Sequence, residues 1–507
     1  MKKQNKHAFL LRLSLVLLSL VMVLSVFAAC NNTKNPGKDP SKDDPGKTDP
    51  GKDDPQEEPR IEIDLGEHNW NGAEYHVLEW SVDGQTEPGQ SWIPWAEIYV
   101  ETDDGDTIGS AVYSRNSTVE DKYGVKITAE YVSVNNGYLT RVRTNNTSGD
   151  DEFKLVTIRT YEMDKLVLEG LMMDLRTQNT FHFDQPWWVP DSVRSFALGD
   201  HLYMASTELL LRDKGATAAV FYNYRMAKDE GLTNLYELVD NKEWTMDKMV
   251  ELAESVARSE DGNDILDSEE DIWGISGGDD SMYYMFNGSG QKFGHMDEDG
   301  YLVMDFGTGD TVDVLQEILE VLMYSDAYCN GAVNGFKDVF KTGNALFDYR
   351  LVKTVTGFRD MTDDYGILPS PLYDDTQENY SSLVWLHHDC VLGIPAATQD
   401  VEMASVILEA LSYESYYTTY PKFYETVLMN RSTRDDDSKR MLQIVFDTRS
   451  YDPGQYWVSD SNLHSGSSFM GLTKTQSTAV ASTWASYKNA VEKAVQKVND
   501  WIDGVES

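Results

Sequence analysis

From Tyr75 onward, short apolar runs alternate with segments of helical period, and this alternation narrows the fold more than any other feature. Residues 75–80 (YHVLEW) alternate as a strand does. Residues 107–123 follow with Ile108, Ala111, Val112 and Val119 among their apolar positions, and Gly124 stands where a helix ends in the left-handed conformation. Residues 125–132 and 153–158 read as further strands, and 163–171 as the next helix. Strands alternating with helices predict parallel α/β layers. A chain of 507 residues exceeds one ordinary domain, so two are expected. No period of about 20–50 residues recurs, which argues against a solenoid.

The middle of the chain carries an ordered series. Residues 196–205 (FALGDHLYMA) predict two short strands turning at Gly199-Asp200. Residues 216–223 form an apolar run ending in Phe221-Tyr222-Asn223. Behind Trp244, residues Met246, Met249, Val250, Ala253 and Val256 recur at helical spacing. Thr245 is the expected N-cap, and Asp247 sits in the first turn, where the helix dipole favours an anion. Residues 272–276 predict a strand and 310–324 a helix. Met403, Ala404, Ile407, Leu408 and Leu411 form one apolar stripe; Trp484, Tyr487, Val491, Ala494, Val498 and Trp501 form another. Both read as core faces.

The first sixty residues are of another kind. Lys2, Lys3, Lys6 and Arg12 precede an uncharged, mostly apolar stretch at 13–29, and Phe27-Ala28-Ala29-Cys30 resembles a bacterial lipobox. Such signals usually carry an aliphatic residue where Phe27 stands. The expectation is a signal peptide at 1–29 and a diacylated Cys30; a retained transmembrane helix is the alternative. Residues 30–60 then comprise the lipidated cysteine and a Pro/Gly/Asp/Lys tether that repeats PGK and lacks apolar side chains. At about 3.1 Å per residue, the tether's roughly 30 residues reach ~90 Å at most. Net charge is −42, with 85 acidic against 43 basic residues, so nucleic acid and anionic lipid are repelled.

Several motifs invite chemistry. Gly274-Ile275-Ser276-Gly277-Gly278 fits the nucleophile elbow of hydrolases, with Asp389 and His464 downstream in the required order. The acidic run 261–271 suggests calcium, but Ile265 and Ile272 occupy two ligand positions of a calcium loop, so a solvated acidic loop is the better reading. His387-His388-Asp389 suggests a metal, yet neighbouring side chains point opposite ways on a strand. Cys329 and Cys390 are left for a disulfide or for free burial, and spacing decides neither. Aromatic residues beside polar ones at expected strand ends are Trp80, Trp92, Trp95, Tyr161, Tyr283, Tyr284, Tyr349, Trp385 and Trp457. A sugar has an apolar C–H face for such rings and hydroxyls for the polar groups around them.

The central series resembles the middle of the family 1 extracellular solute-binding proteins, which feed ABC importers. There an f..G..Y..P hairpin precedes a lfYNk strand and a Trp-headed helix. Residues 341–347 (KTGNALF) are similar to the family's nGkaAm segment, and 365–369 (YGILP) to yGv.PlP. Ile394-Pro395 with 400–411 resembles the strand and helix by which such chains return to their first lobe.

The resemblance implies an α/β, two-lobed periplasmic-binding-protein-like fold of type II, with mixed sheets flanked by helices and a hinged cleft. Lobe 1 is expected from 61–216 and 388–430, lobe 2 from 217–387 and 431–507, with crossings near 216, 388 and 430. It implies a lipid-anchored monomer on the extracellular face of the cell membrane. That monomer captures a small solute by lobe closure and delivers it to ABC permease subunits. No enzyme activity, cofactor or metal is expected. Family positions put Arg159, Tyr161, Glu162, Glu208, Tyr283, Tyr349, Arg350 and Trp457 near the ligand, and Trp80 and Trp385 join them as strand-end aromatics. Many relatives carry a Trp where this chain has Tyr349. An oligosaccharide is the expected ligand, a peptide or other polar solute the alternative, and a secreted hydrolase using Ser276 or paired carboxylates the competing class.

Overall fold

Local signals set the first unit. Asp106 accepts hydrogen bonds from the N–H groups of Ile108 and Gly109, opening helix Thr107–Tyr123, and Gly124 closes it at φ 62°. The computed structural model describes residues 59–506 apart from 83–84, 86–88, 90–93, 337, 429–435 and 467. The expected signal peptide, Cys30, nearly all of the tether, Trp92 and the crossing at 430 lie outside the described residues. Among the described residues no helix is long and apolar enough to cross a membrane.

Nine of the described strands form two mixed sheets, beside two short two-stranded pairs. The nine are β1 (Ala73–Ser81), β2 (Val125–Ser133), β3 (Leu155–Ile158), β4 (Ala218–Asn223), β5 (Trp273–Gly277), β6 (Tyr328–Asn330), β7 (Ala345–Leu351), β8 (Tyr365–Leu368) and β9 (Val391–Gly393). The first sheet runs β9-β3-β1-β2, with β1 parallel to both β2 and β3 and β9 antiparallel to β3. The second runs β8-β4-β7-β5-β6, with β5 parallel to β6 and β7, and β4 antiparallel to β7 and β8. The expected parallel layers thus account for part of each sheet, and each adds antiparallel strands.

Helix Tyr138–Ser148 lies between β2 and β3, and both its ends are glycines at positive φ. Helix Met246–Val256 starts on Thr245, whose hydroxyl accepts from the Lys248 N–H, and packs on β5. The approach is close: a Cβ on Gly274 would meet the Ala253 carbonyl oxygen at 2.5 Å, so only glycine fits there. Helices Val401–Tyr417 and Thr419–Val427 pack on Thr107–Tyr123, whereas Asp436–Asp447 packs on β8.

Three segments of the chain run side by side. The Trp385 N–H donates to the Ala216 carbonyl at 2.9 Å, and Thr217 bridges Val384. Ser382–Leu383 pairs in parallel with Arg449–Ser450.

The two strands expected at 196–205 do not form. Helix Pro190–Ser195 leads into the segment, and single bridges join Leu198 to His201 and Ala205 to Leu392. Residues of both parities are buried there, so no face is left to make a half-exposed hairpin, and Ala205 exchanges both of its hydrogen bonds with β9 instead. Cys329, in β6, and Cys390, beside β9, are both free and buried. In the acidic run, Asp271 accepts from the N–H groups of Glu260, Asp267 and Ser268, and Asp261 from that of Asn263. These carboxylates hold the loop, and no group of three metal-ligating side chains is present among the described residues.

Candidate functional site

A continuous run of rings links a strand of the first sheet to a strand of the second. It begins at Trp80 in β1. The Arg159 guanidinium, just after β3, lies 4.6 Å from the Trp80 ring centre and 4.7 Å from that of Tyr161. Tyr161 meets His464 at 4.8 Å and His387 at 5.2 Å. His387 meets Trp385 at 5.0 Å, and Trp385 stacks on Tyr283 at 4.7 Å with an interplanar angle of 30°. Tyr284 stands 6.1 Å from Trp385 and 5.9 Å from Tyr349 in β7.

Backbone geometry explains the convergence. Arg159 and Tyr161 leave the end of β3, where helix Thr160–Leu168 begins. That helix is started from far along the chain: the Thr160 N–H and hydroxyl both donate to the Asp389 carboxylate, at 3.1 and 2.7 Å. Asp389 therefore ties His387 and His388 to the end of β3. Tyr283 and Tyr284 sit in helix Ser281–Gly288, which follows β5.

Burial sorts these groups into a floor and a rim. Trp80, Tyr283, Tyr349 and Trp385 are buried. Arg159, Tyr161, Asp279, Asp280, Lys353, His387 and His388 are half-buried and reach solvent. The Lys353 ammonium donates to His388 Nδ1 at 2.7 Å, and His387 Nε2 donates to the His464 carbonyl at 2.9 Å. A Cβ on Gly215 would lie 2.8 Å from the Trp95 ring and 3.3 Å from Lys353 Cβ, so the bare glycine lets both Trp95 and Lys353 pack close.

Burial holds the imidazoles neutral. It lowers His387 and, with Lys353 and His387 nearby, takes His388 well below the usual value. Burial, then His387 and Lys165, brings His464 down to about 3. Burial also lowers Lys353, to about 8, against the pull of Asp280.

The remaining expected site residues divide between this cluster and other contacts. Glu162 belongs to the cluster through a two-bond pair with Arg159, at 2.8 and 3.1 Å. Glu208 is buried between Lys214 at 2.6 Å and Arg449 at 2.9 Å. Arg449 also holds Asp213 at 3.1 Å, and Tyr451 donates to Asp213 at 2.5 Å. Burial pushes Glu208 up, but Lys214 and Arg449 outweigh it and leave its carboxyl below the ordinary value. Arg350, next to Tyr349 in β7, pairs with Asp348 and Asp338 and also, against the burial that raises the Asp280 carboxyl, lowers it from the second sheet; Trp457 is buried against Tyr456. Sequence reasoning missed Lys353, Asp279 and Asp280, and considered the histidines only for other chemistries.

The hydrolase constellation is not assembled. Ser276 lies inside β5, flanked by Cys329 and Asp348 on paired strands, and its hydroxyl donates to Asp348 at 2.5 Å. Asp389 is engaged by Thr160, and His464 lies against Tyr161. A nucleophile elbow needs a sharp turn at the serine, which a strand paired on both sides excludes.

The fold is the two-lobed fold of the extracellular solute-binding proteins. Solved structures similar to this chain include UspC of M. tuberculosis, at TM-score 0.55 and 12% identity over 83% of this chain and 100% of that one. The GacH receptor of Streptomyces glaucescens, solved unliganded and with acarbose, matches at TM-score 0.53 and 12% identity over 84% and 99%. An ABC substrate-binding protein of Listeria monocytogenes in complex with cycloalternan matches at TM-score 0.51 and 13% identity over 85% and 98%. No family model and no curated protein sequence matches the chain.

Proposed function

We propose that this protein is a solute receptor that captures an oligosaccharide between its lobes and delivers it to an ABC importer. The observation that carries the reading is the ring path from Trp80 in β1 to Tyr349 in β7, rimmed by half-buried Arg159, Tyr161, Lys353, His387 and His388. Flat rings suit the C–H faces of a sugar, and the rim supplies donors and acceptors for its hydroxyls. Two of the similar structures were solved with saccharide-type ligands, cycloalternan and acarbose, which agrees with this reading. Binding favours the lobe arrangement that gains contacts to the ligand, by its differential affinity alone.

The reading extends to an extracellular, membrane-anchored monomer held through a lipidated Cys30, on the basic start and uncharged apolar stretch at the N-terminus. Its partners are then two permease subunits, and it performs no chemistry on its ligand.

A thermal-shift screen against sugars, peptides and polyamines tests the reading. A ligand present at about 100 times its Kd adds about 2.7 kcal/mol of stability, a clear rise in Tm. A shift with peptides alone would remove the saccharide, and no shift with any class would remove the receptor.

A further inference from the structure

The helices that follow β9 carry a tyrosine every fourth residue across their joint, at Tyr416, Tyr420 and Tyr424. Side chains at that spacing fall on one helical face. Tyr416 and Tyr420 lie within 28° of parallel at 6.1 Å, and Tyr424 meets Tyr420 at 5.2 Å. Tyr416 and Tyr420 are half-buried and line a cavity of about 380 Å³, with Trp188 and Phe446 as further walls. Trp188 is fixed there by its bond to Glu409 at 2.9 Å. The cavity shares no lining residue with the ring path between β1 and β7. Its volume falls in the range of small-molecule sites, and side-chain packing alone leaves few voids of that size.

The charges of the cavity are spent on one another. On its floor Arg449 bonds Glu208 at 2.9 Å, and Lys214 bonds the same carboxylate at 2.6 Å. At its rim the exposed Arg194 holds Asp191 at 3.1 Å, and the Gln443 amide donates to Asp447 at 2.6 Å. An anion therefore finds no unmatched cation among three carboxylates and two guanidinium groups. A cation is opposed as well, because the Lys214 ammonium already stands 5.0 Å from the centre of the Tyr420 ring. Ring surface bordered by polar groups without surplus positive charge is what remains, and it suits a neutral polyhydroxyl ligand.

We propose that this cavity is a second saccharide site, outside the cleft. It takes a short neutral sugar whose C–H faces lie on Tyr416 and Tyr420 and whose hydroxyls meet Arg194, Gln443 and Asp447. The site shares no residue with the cleft, so either can fail without the other.

Titration calorimetry on the whole chain tests the assignment, with maltose, cellobiose and mannobiose, and with glucuronate and choline as charged comparators. At least one disaccharide is expected to bind Tyr161→Ala, in which the cleft is weakened. Tyr416→Ala should weaken that binding about 10-fold, and Arg194→Ala about 5-fold, with any cleft binding unchanged in both. Melting curves verify that the variants fold, and Arg194 is exposed, so its removal spares the core. Disaccharide binding that ignores both variants, or that vanishes entirely in Tyr161→Ala, overturns the second site. Tighter binding of glucuronate or choline than of any disaccharide, sensitive to Tyr416→Ala, overturns its neutral class. Binding that survives Tyr161→Ala and falls with Tyr416→Ala supports the site even where the cleft takes no sugar. Failure of every disaccharide on the unaltered chain overturns it.

Discussion

Two buried polar clusters face different problems. Around Arg212–Lys214 each cation has its carboxylates: Arg212 bonds Glu79 and Glu97, Lys214 bonds Glu208, and Arg449 bonds Glu208 and Asp213. Around Arg159–His388 the side chains meet mostly ring to ring, one imidazole nitrogen is open, and the outer groups touch solvent. The first cluster sits beside the chain passages at 216 and 449 and pairs every cation with a carboxylate, although Glu79 Oε1 keeps no hydrogen-bond partner among the described residues. The second leaves hydrogen-bonding capacity for a guest. Charge inside a protein can therefore mark a joint or a site, and what separates them is whether the partners are supplied by the chain.

Removing one member of the closed cluster is the strongest way to break that contrast. Arg449→Met leaves Glu208 and Asp213 without it, and should cost about 3–5 kcal/mol, read from urea denaturation. A loss below about 1 kcal/mol would mean the cluster is wetter than its burial implies. In the open cluster, Tyr161→Ala removes a half-buried ring and should cost stability only about 1–2 kcal/mol. Its effect should fall on ligand affinity, by about 10-fold, since the ring is proposed to cover a sugar face. Equal stability losses for the two variants would erase the distinction.

Two pH measurements sharpen it further. The Asp164 carboxyl is raised by burial from its ordinary value to about 8 in the folded protein, so the neutral form is favoured there. Its contribution to stability is complete below about pH 4 and is lost as pH rises through about 8. Asp164→Asn should flatten that part of the stability profile. The smallest effect concerns Lys353, which faces Asp280 and His388, with Arg159 acting on the same imidazole. Burial lowers its folded value to about 8, below that of an unfolded lysine, so stability should rise as pH climbs from about 8 toward the ordinary lysine value, and Lys353→Met should remove that step.

Elements with a marked end were the legible ones. Helix Thr107–Tyr123 has its end marked by Gly124, and the structure adds Asp106 as the cap of its start. Strands β4 and β5 are legible as apolar runs beside glycines or turns, whereas β7 and β8 fall on segments that the family resemblance singled out. The segment 196–205 misled because its hydrophobicity has no polar face, so a buried connection and a hairpin look alike. Helix Tyr138–Ser148 was missed because YLTRVRTNNTS is mostly polar and has little apolar stripe. For the site, ring chemistry singled out Trp80, Tyr161, Tyr283 and Trp385, and the structure joins them. Lys353 could not be singled out, since one lysine among 43 basic residues carries no mark until the fold sets it against His388. Glu208 and Arg350 illustrate a further point: charged residues near family positions also make ion pairs with their own chain.

The unbridged state of Cys329 and Cys390 bears on how the protein fails rather than how it works. Burial raises the Cys329 thiol to about 12 and Cys390 well above its ordinary value, so neither reacts with oxidant while the chain is folded. Heating in air uncovers both at once, and a bond made then, within one chain or between two, has no counterpart in the native arrangement. Recovery after a melt should accordingly depend on added reductant, and the damage should grow with protein concentration.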